Sequence, residues 1–189
     1  MTELPNRSVS RRRLLAGAAA GLSVGVAGCS GGENASITPV SLDGERACDQ
    51  CGMIIEDHPG PVGQIHFADD EPEGGRPGQF CSSTCTYRYR FDAEAEGRTV
   101  EAAFLTDYSS VEYEVFTEGG DTQFSSHVES EAFERMPALT VVARSEIVGA
   151  MGPELIPFSE EGDVTAFTDE YGGEPMPATD VERSTLEAL

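Results

Sequence analysis

Apolar and polar positions along this 189-residue chain alternate in short stretches rather than long ones. Gln64-Ile65-His66-Phe67 alternates with period two, which predicts a half-buried strand with Ile65 and Phe67 on its inner face. Further strands are expected over 99–105 and 111–117, before the loop Glu118-Gly119-Gly120-Asp121. Residues 138–143 form the clearest buried strand, because Leu139-Thr140-Val141-Val142 is apolar and β-branched. Two segments have helical character. Ser82 or Ser83 can cap a helix that runs to about Glu94 and stops at Gly97. A second spans about 162–171, with Val164, Phe167 and Tyr171 on one face and Gly172-Gly173 as its stop. Val128, Phe133 and Met136 predict a short helical turn halted by Pro137. Residues 69–79 are acidic and rich in Gly and Pro, and read as a surface loop; 151–158 reads as an extended, Pro-punctuated piece.

A weak echo runs through this pattern. Phe80-Cys81-Ser82 leads from a strand into a helix, and Pro157-Phe158-Ser159 does the same later. The fold class expected is α+β, built as two small strand/helix lobes with mostly antiparallel sheets.

The first segment is an address rather than fold. Ser10-Arg11-Arg12-Arg13-Leu14-Leu15 is a twin-arginine pattern, followed by a small and apolar run over 16–27. That run falls well short of the ~20 residues that span a bilayer, so it reads as the core of a signal peptide. It ends Val26-Ala27-Gly28-Cys29, a lipoprotein cleavage box with Cys29 as the lipid-bearing residue. The expected organisation is a signal peptide over 1–28, a flexible tether over 29–45, a body over 46–178 with lobes at 46–117 and 120–178, and an acidic tail over 179–189. Within the tether, Ile37, Val40 and Leu42 could make one edge strand.

Charge changes the picture by exclusion. The formal net charge is −22, and all twelve basic residues are Arg. Such a surface repels nucleic acid, whose binders need a basic footprint. Abundant Asp and Glu without Lys is a halophilic habit, suited to molar salt, where the screening length falls to ~3 Å.

Four cysteines remain beyond Cys29, spaced C-x2-C at Cys48 and Cys51, then twenty-nine residues, then C-x3-C at Cys81 and Cys85. By residue type alone they can close on a structural Zn²⁺, form disulfides, or do thiol redox chemistry. A thiol at a helix start has a lowered pKa, which favours metal binding or nucleophilic attack. Met53 tilts the choice towards Cu(I), a soft ion that takes thioether as well as thiolate. Met151, in the turn Ala150-Met151-Gly152-Pro153, is a second soft donor, while His66 and His58 are further candidates. No cofactor-binding fingerprint is present, and no His or Asp is clearly placed to act as general acid or base beside a cysteine. An enzyme of thiol–disulfide exchange or carbon–metal cleavage is therefore disfavoured.

Cys48-Asp49-Gln50-Cys51-Gly52-Met53-Ile54-Ile55, His58-Pro59-Gly60-Pro61 and Gln79-Phe80-Cys81-Ser82 together resemble the NosL family of nitrous oxide reductase accessory proteins. Gly149-Ala150-Met151-Gly152-Pro153, Pro157-Phe158-Ser159, Ala166-Phe167 and Gly172-Gly173 are similar to that family's second signature. The resemblance implies a membrane-tethered, extracytoplasmic Cu(I) chaperone, lipid-anchored to the cell membrane, that delivers copper to the assembly machinery of nitrous oxide reductase. It implies no nucleic-acid partner and no small-molecule substrate, and a fold related to the alkylmercury lyase scaffold. Carried over by position, Cys51 and Met151 become the leading ligands, Cys48 and Met53 the next, and Cys81 matches a family position. Cys85 departs from the pattern and leaves open a closed four-thiolate site.

Overall fold

The computed structural model describes residues 37–69, 72 and 74–189. The expected signal peptide, Cys29 and the first part of the tether lie outside the described residues. The chain forms strands β1 (Gly63–Phe67) and β2 (Gly78–Phe80), helix α1 (Ser83–Ala95) and strand β3 (Val100–Thr106). A hairpin follows, β4 (Val115–Glu118) with β5 (Asp121–Phe124), and then the short strand β6 (Phe133–Arg135). The second half contains β7 (Thr140–Ala143), the tight hairpin β8 (Val148–Gly149) with β9 (Gly152–Pro153), and β10 (Ile156–Phe158). Helix α2 (Glu161–Tyr171), β11 (Glu174–Pro177) and helix α3 (Arg183–Glu187) complete it.

Two small sheets organise these elements. One runs β2-β1-β3-β6 and the other β10-β7-β11, and every pairing between their strands is antiparallel. The architecture is thus α+β with small antiparallel sheets, as the pattern predicts. The echo has a topological counterpart. In each sheet one strand (β1, β7) is followed by an edge strand beside it (β2, β10), then a helix, then the strand on its other side (β3, β11), to which the first sheet adds β6. The second unit carries the β8–β9 hairpin as an insertion between its first two strands.

Side-chain alternation divides the core. On β7, Val141 joins the larger cluster with Leu42, Ile65, Phe80 and Leu105, while Val142 joins an aromatic cluster with Phe124, Phe158 and Phe167. Helix α1 lies close on β1 at Gly63, where any side chain would run into Thr86 and Leu105. Its first five residues, Ser83 to Tyr87, are all buried.

Several expectations change. The loop assigned to 69–79 gives up its last residues to β2, which pairs antiparallel with β1, while the Asp49 side chain accepts the Gln79 N–H at 2.8 Å on the strand's outer side. The strand expected from 111 starts only at Val115. The helical turn expected around Val128, Phe133 and Met136 is strand β6 between two single 3-10 turns, and Phe133 to Arg135 pairs with β3. This strand, from the second expected lobe, completes the sheet of the first. The end of the expected tether packs down without forming a strand: Val40 exchanges two 2.9 Å hydrogen bonds with the Gln64 side chain, and Leu42 is fully buried. The expected acidic tail is ordered too. Val181 and Leu186 are buried beneath an acidic exterior, and the Tyr87 hydroxyl donates to the carbonyl of Ala178 at 2.8 Å.

Candidate metal centre

The first cysteine pair sits on a tight turn. Ala47 and Ile54 bridge as antiparallel partners, Cys48 N–H donates to the carbonyl of Met53 at 2.8 Å, and Gly52 N–H donates back to Cys48 at 2.8 Å. Gly52 has φ +80°, a left-handed conformation that glycine adopts without the steric penalty other residues meet. Asp49 locks this turn to the second pair. Its carboxylate takes both guanidinium nitrogens of Arg76 at 2.7 and 2.8 Å besides the Gln79 N–H, and its own N–H reaches the Gln79 carbonyl. Cys81 follows directly on β2, and Cys85 is the third residue of α1, its N–H capped by the Ser82 hydroxyl at 2.9 Å.

These constraints bring the sulfurs of Cys48, Cys51, Cys81 and Cys85 within 4.8 Å of one another. Cys51 Sγ lies 3.4 Å from Cys81 Sγ, and Cys81 Sγ lies 3.9 Å from Cys85 Sγ. All four are free thiols; Cys48, Cys81 and Cys85 are buried and Cys51 is exposed. Four thiolates placed tetrahedrally at ~2.3 Å from an ion are ~3.8 Å apart, so the group suits one metal with little movement. Thiol donors from Cys81 and then Cys85 hold Cys48 far below the usual thiol range. Cys81 is raised by the same contacts, Cys48 first, and Cys85 is pushed up to about 12, chiefly by Cys48. A metal bound by these sulfurs would displace their thiol protons, so binding would be linked to pH.

Met53 is half-buried against the main core, and its backbone carbonyl accepts the Cys48 N–H. Met151 is exposed, between β8 and β9. His66 is half-buried near the end of β1, edge-on to Phe104, with its pKa lowered by burial and then by Arg135. His58 follows the 3-10 turn Ile55–Asp57. Neither histidine belongs to the four-sulfur group. Cys85, outside the family pattern, does.

Sequence reasoning missed two residues. Asp49 is a polar clamp between two cysteines, where its position alone was a signal. Glu154 is fully buried, and one carboxylate oxygen accepts from Thr84 N–H and Thr84 hydroxyl at 2.8 Å and from Leu155 N–H at 2.9 Å. It therefore ties the segment carrying Met151 to the first turn of α1. Its other oxygen has no hydrogen-bond partner among the described residues, and burial pushes the carboxyl up to about 7.

The NosL family profile matches residues 39–186. The chain is 27% identical over 168 residues to the copper-binding lipoprotein NosL of Stutzerimonas stutzeri, covering 88% of this chain and 78% of that protein. Its fold matches the crystal structure of the copper chaperone NosL from Shewanella denitrificans with a TM-score of 0.60, at 23% identity, covering 76% of this chain and 95% of that one.

Proposed function

The chain belongs to the NosL family, and on that premise we propose that it is a membrane-tethered, extracytoplasmic Cu(I) chaperone that delivers copper for assembly of nitrous oxide reductase. The observation that carries the reading is the group of four free thiols within 4.8 Å, three buried and one exposed. Thiolates are the preferred partners of Cu(I). The buried Cys48, Cys81 and Cys85 would keep the cargo from water, and the exposed Cys51 would be the corner at which it is exchanged. Met53 and Met151 are soft donors available to complete a site of lower thiolate count during transfer. The protein acts as a carrier and not as an enzyme: copper enters and leaves by ligand exchange, without change of oxidation state. Lipidation of Cys29 after twin-arginine export would hold the body at the outer face of the membrane.

Anaerobic titration of the reduced protein with Cu(I) against a chromophoric chelator tests the binding. Tight uptake is expected, lost in Cys51→Ser and weakened in Met151→Leu; unchanged affinity in both would falsify this ligand set. The same sulfur spacing favours a second reading, a structural Zn²⁺ site on Cys48, Cys51, Cys81 and Cys85. Competition of Cu(I) with Zn²⁺ separates the two, and under the zinc reading chelation unfolds the protein. For delivery, a strain lacking the chain should accumulate copper-poor nitrous oxide reductase.

A further inference from the structure

Eight arginines lie in the stretch 37–189, and seven of them are engaged. Arg46 bonds Gln79, Arg76 pairs with Asp49, Arg90 with Glu94, and Arg98 lies over the Phe67 ring. Arg135 donates to the Ile37 carbonyl, while Arg144 and Arg183 pair with Glu174 and Asp92. Arg88 alone makes no hydrogen bond, ion pair or ring contact among the described residues, and it is exposed. In a chain of net charge −22 that is unexpected, because carboxylates are abundant.

The position of Arg88 gives it a use. It follows Cys85 by three residues on α1, one turn further along the same face. It lines a cavity of about 260 Å³ together with Gln50, Asp92, Arg183, Leu186 and Glu187. Gln50 lies between Cys48 and Cys51, so the cavity adjoins the turn that carries the one exposed thiol of the four. Arg183 takes up the charge of Asp92 at 2.8 Å, leaving Arg88 and Glu187 as the opposed charges of the wall. The cavity is neutral overall on a molecule that is otherwise strongly negative.

We propose that this cavity binds a carboxylate carried by the thiol that exchanges copper at Cys51, with Arg88 as its anchor. The proposal rests on the Cu(I)-carrier reading above. In the exchange the incoming sulfur bonds to Cu(I), the Cys51–copper bond breaks, and the proton of the incoming thiol ends on Cys51. Copper remains +1 and no electron is transferred. Holding the carboxylate presents the sulfur beside Cys51 and so lowers the entropic barrier to attack. The net charge of the protein disfavours approach of any anion, so a preference for anionic thiols must come from a local cation.

The test uses the full chain loaded with one Cu(I), its uptake checked first, and follows copper extraction at fixed ionic strength per unit of thiolate. Mercaptoacetate is compared with 2-mercaptoethanol, and a capped Cys-Glu peptide with its Cys-Gln counterpart. The anionic member should be faster by about threefold, the scale of one exposed ion pair. Arg88→Ala should abolish that ratio, and Arg144→Ala, which changes net charge equally, should keep it. A ratio dependent on Arg88 only with the small thiols assigns the cavity to free carboxylate thiols. One seen with the peptides assigns it to a side chain of a partner protein. Ratios unaffected by Arg88→Ala in both arms overturn the proposal alone, whereas a chain that takes up no Cu(I) overturns the carrier reading and this proposal with it.

Discussion

Replacing Glu154 by Gln should make the metal-free protein more stable at neutral pH, by an amount that grows with pH. The carboxyl is fully buried and raised by that burial to about 7, against an ordinary 4.5. A group that holds its proton more tightly when folded stabilises the fold fully below its unfolded value. That contribution is lost as pH rises through the folded value. Between pH ~4.5 and ~7 the wild type should therefore lose ~3 kcal/mol relative to a variant that cannot ionise, and the difference should be flat beyond. The amide oxygen of Gln can still accept from Thr84 and Leu155, so the three hydrogen bonds at that oxygen need not be lost. The assay is urea denaturation of the reduced apoprotein from pH 5 to 8 at constant salt, with wild type and Glu154→Gln compared at each pH. Subtracting the two curves cancels the titration of the acidic surface and of the thiols. A difference that stays constant across this range would refute the idea that burial governs this carboxyl.

Other substitutions probe the scaffold of the thiol group. Asp49→Ala removes the clamp on both Arg76 and Gln79 and should weaken metal binding ~10-fold or more in a chelator competition, as loss of a ligand-orienting partner does elsewhere. Ser82→Ala removes the cap on Cys85 N–H and should lower stability by ~1 kcal/mol in denaturant titration. Cys85→Ser should reduce Cu(I) affinity about as much as Cys48→Ser in the same competition; full retention would take Cys85 out of the site.

The outlines of the first sheet were legible because their signals are local. Alternation at Gln64 to Phe67 and the Ser82 cap followed by Gly97 each depend on a few neighbouring residues, and the structure places β1 and α1 accordingly. What was missed depends on distant partners. Gln79 joins a strand by pairing with β1, and Asp49, thirty residues earlier, takes its outward N–H. Leu42 packs into the core while its N–H meets the carbonyl of Val128, and the turn ahead of the last helix is tied to α1 through Tyr87 and Ala178. No window of sequence contains both members of such pairs. The cysteine spacing was readable, but whether Cys85 joined the other three turned on the register between the Cys48–Cys51 turn and the start of α1.

The matched wiring of the two sheets accounts for where that register is set. In the first unit the corner between edge strand and helix carries Cys81 and Cys85, with Ser82 free to cap its helix. In the second, Ser159 stands at the same corner but is bound to Asp107 at 2.7 Å and does not cap α2. One corner thus contributes two of the four clustered thiols, and the other a structural hydrogen bond. The second unit's contribution comes instead from its insertion, since Glu154 leaves the β8–β9 hairpin and caps Thr84, one residue before Cys85. The start of α1 is therefore held from three sides: by its own serine, by the Asp49 clamp acting through β2, and by a carboxylate from the other unit. The turn bearing Cys51 is anchored as well, through Asp49, so what sets Cys51 apart from the other three is the exposure of its side chain rather than a loose backbone. Under the carrier reading it is the ligand that could let go without unfolding the rest.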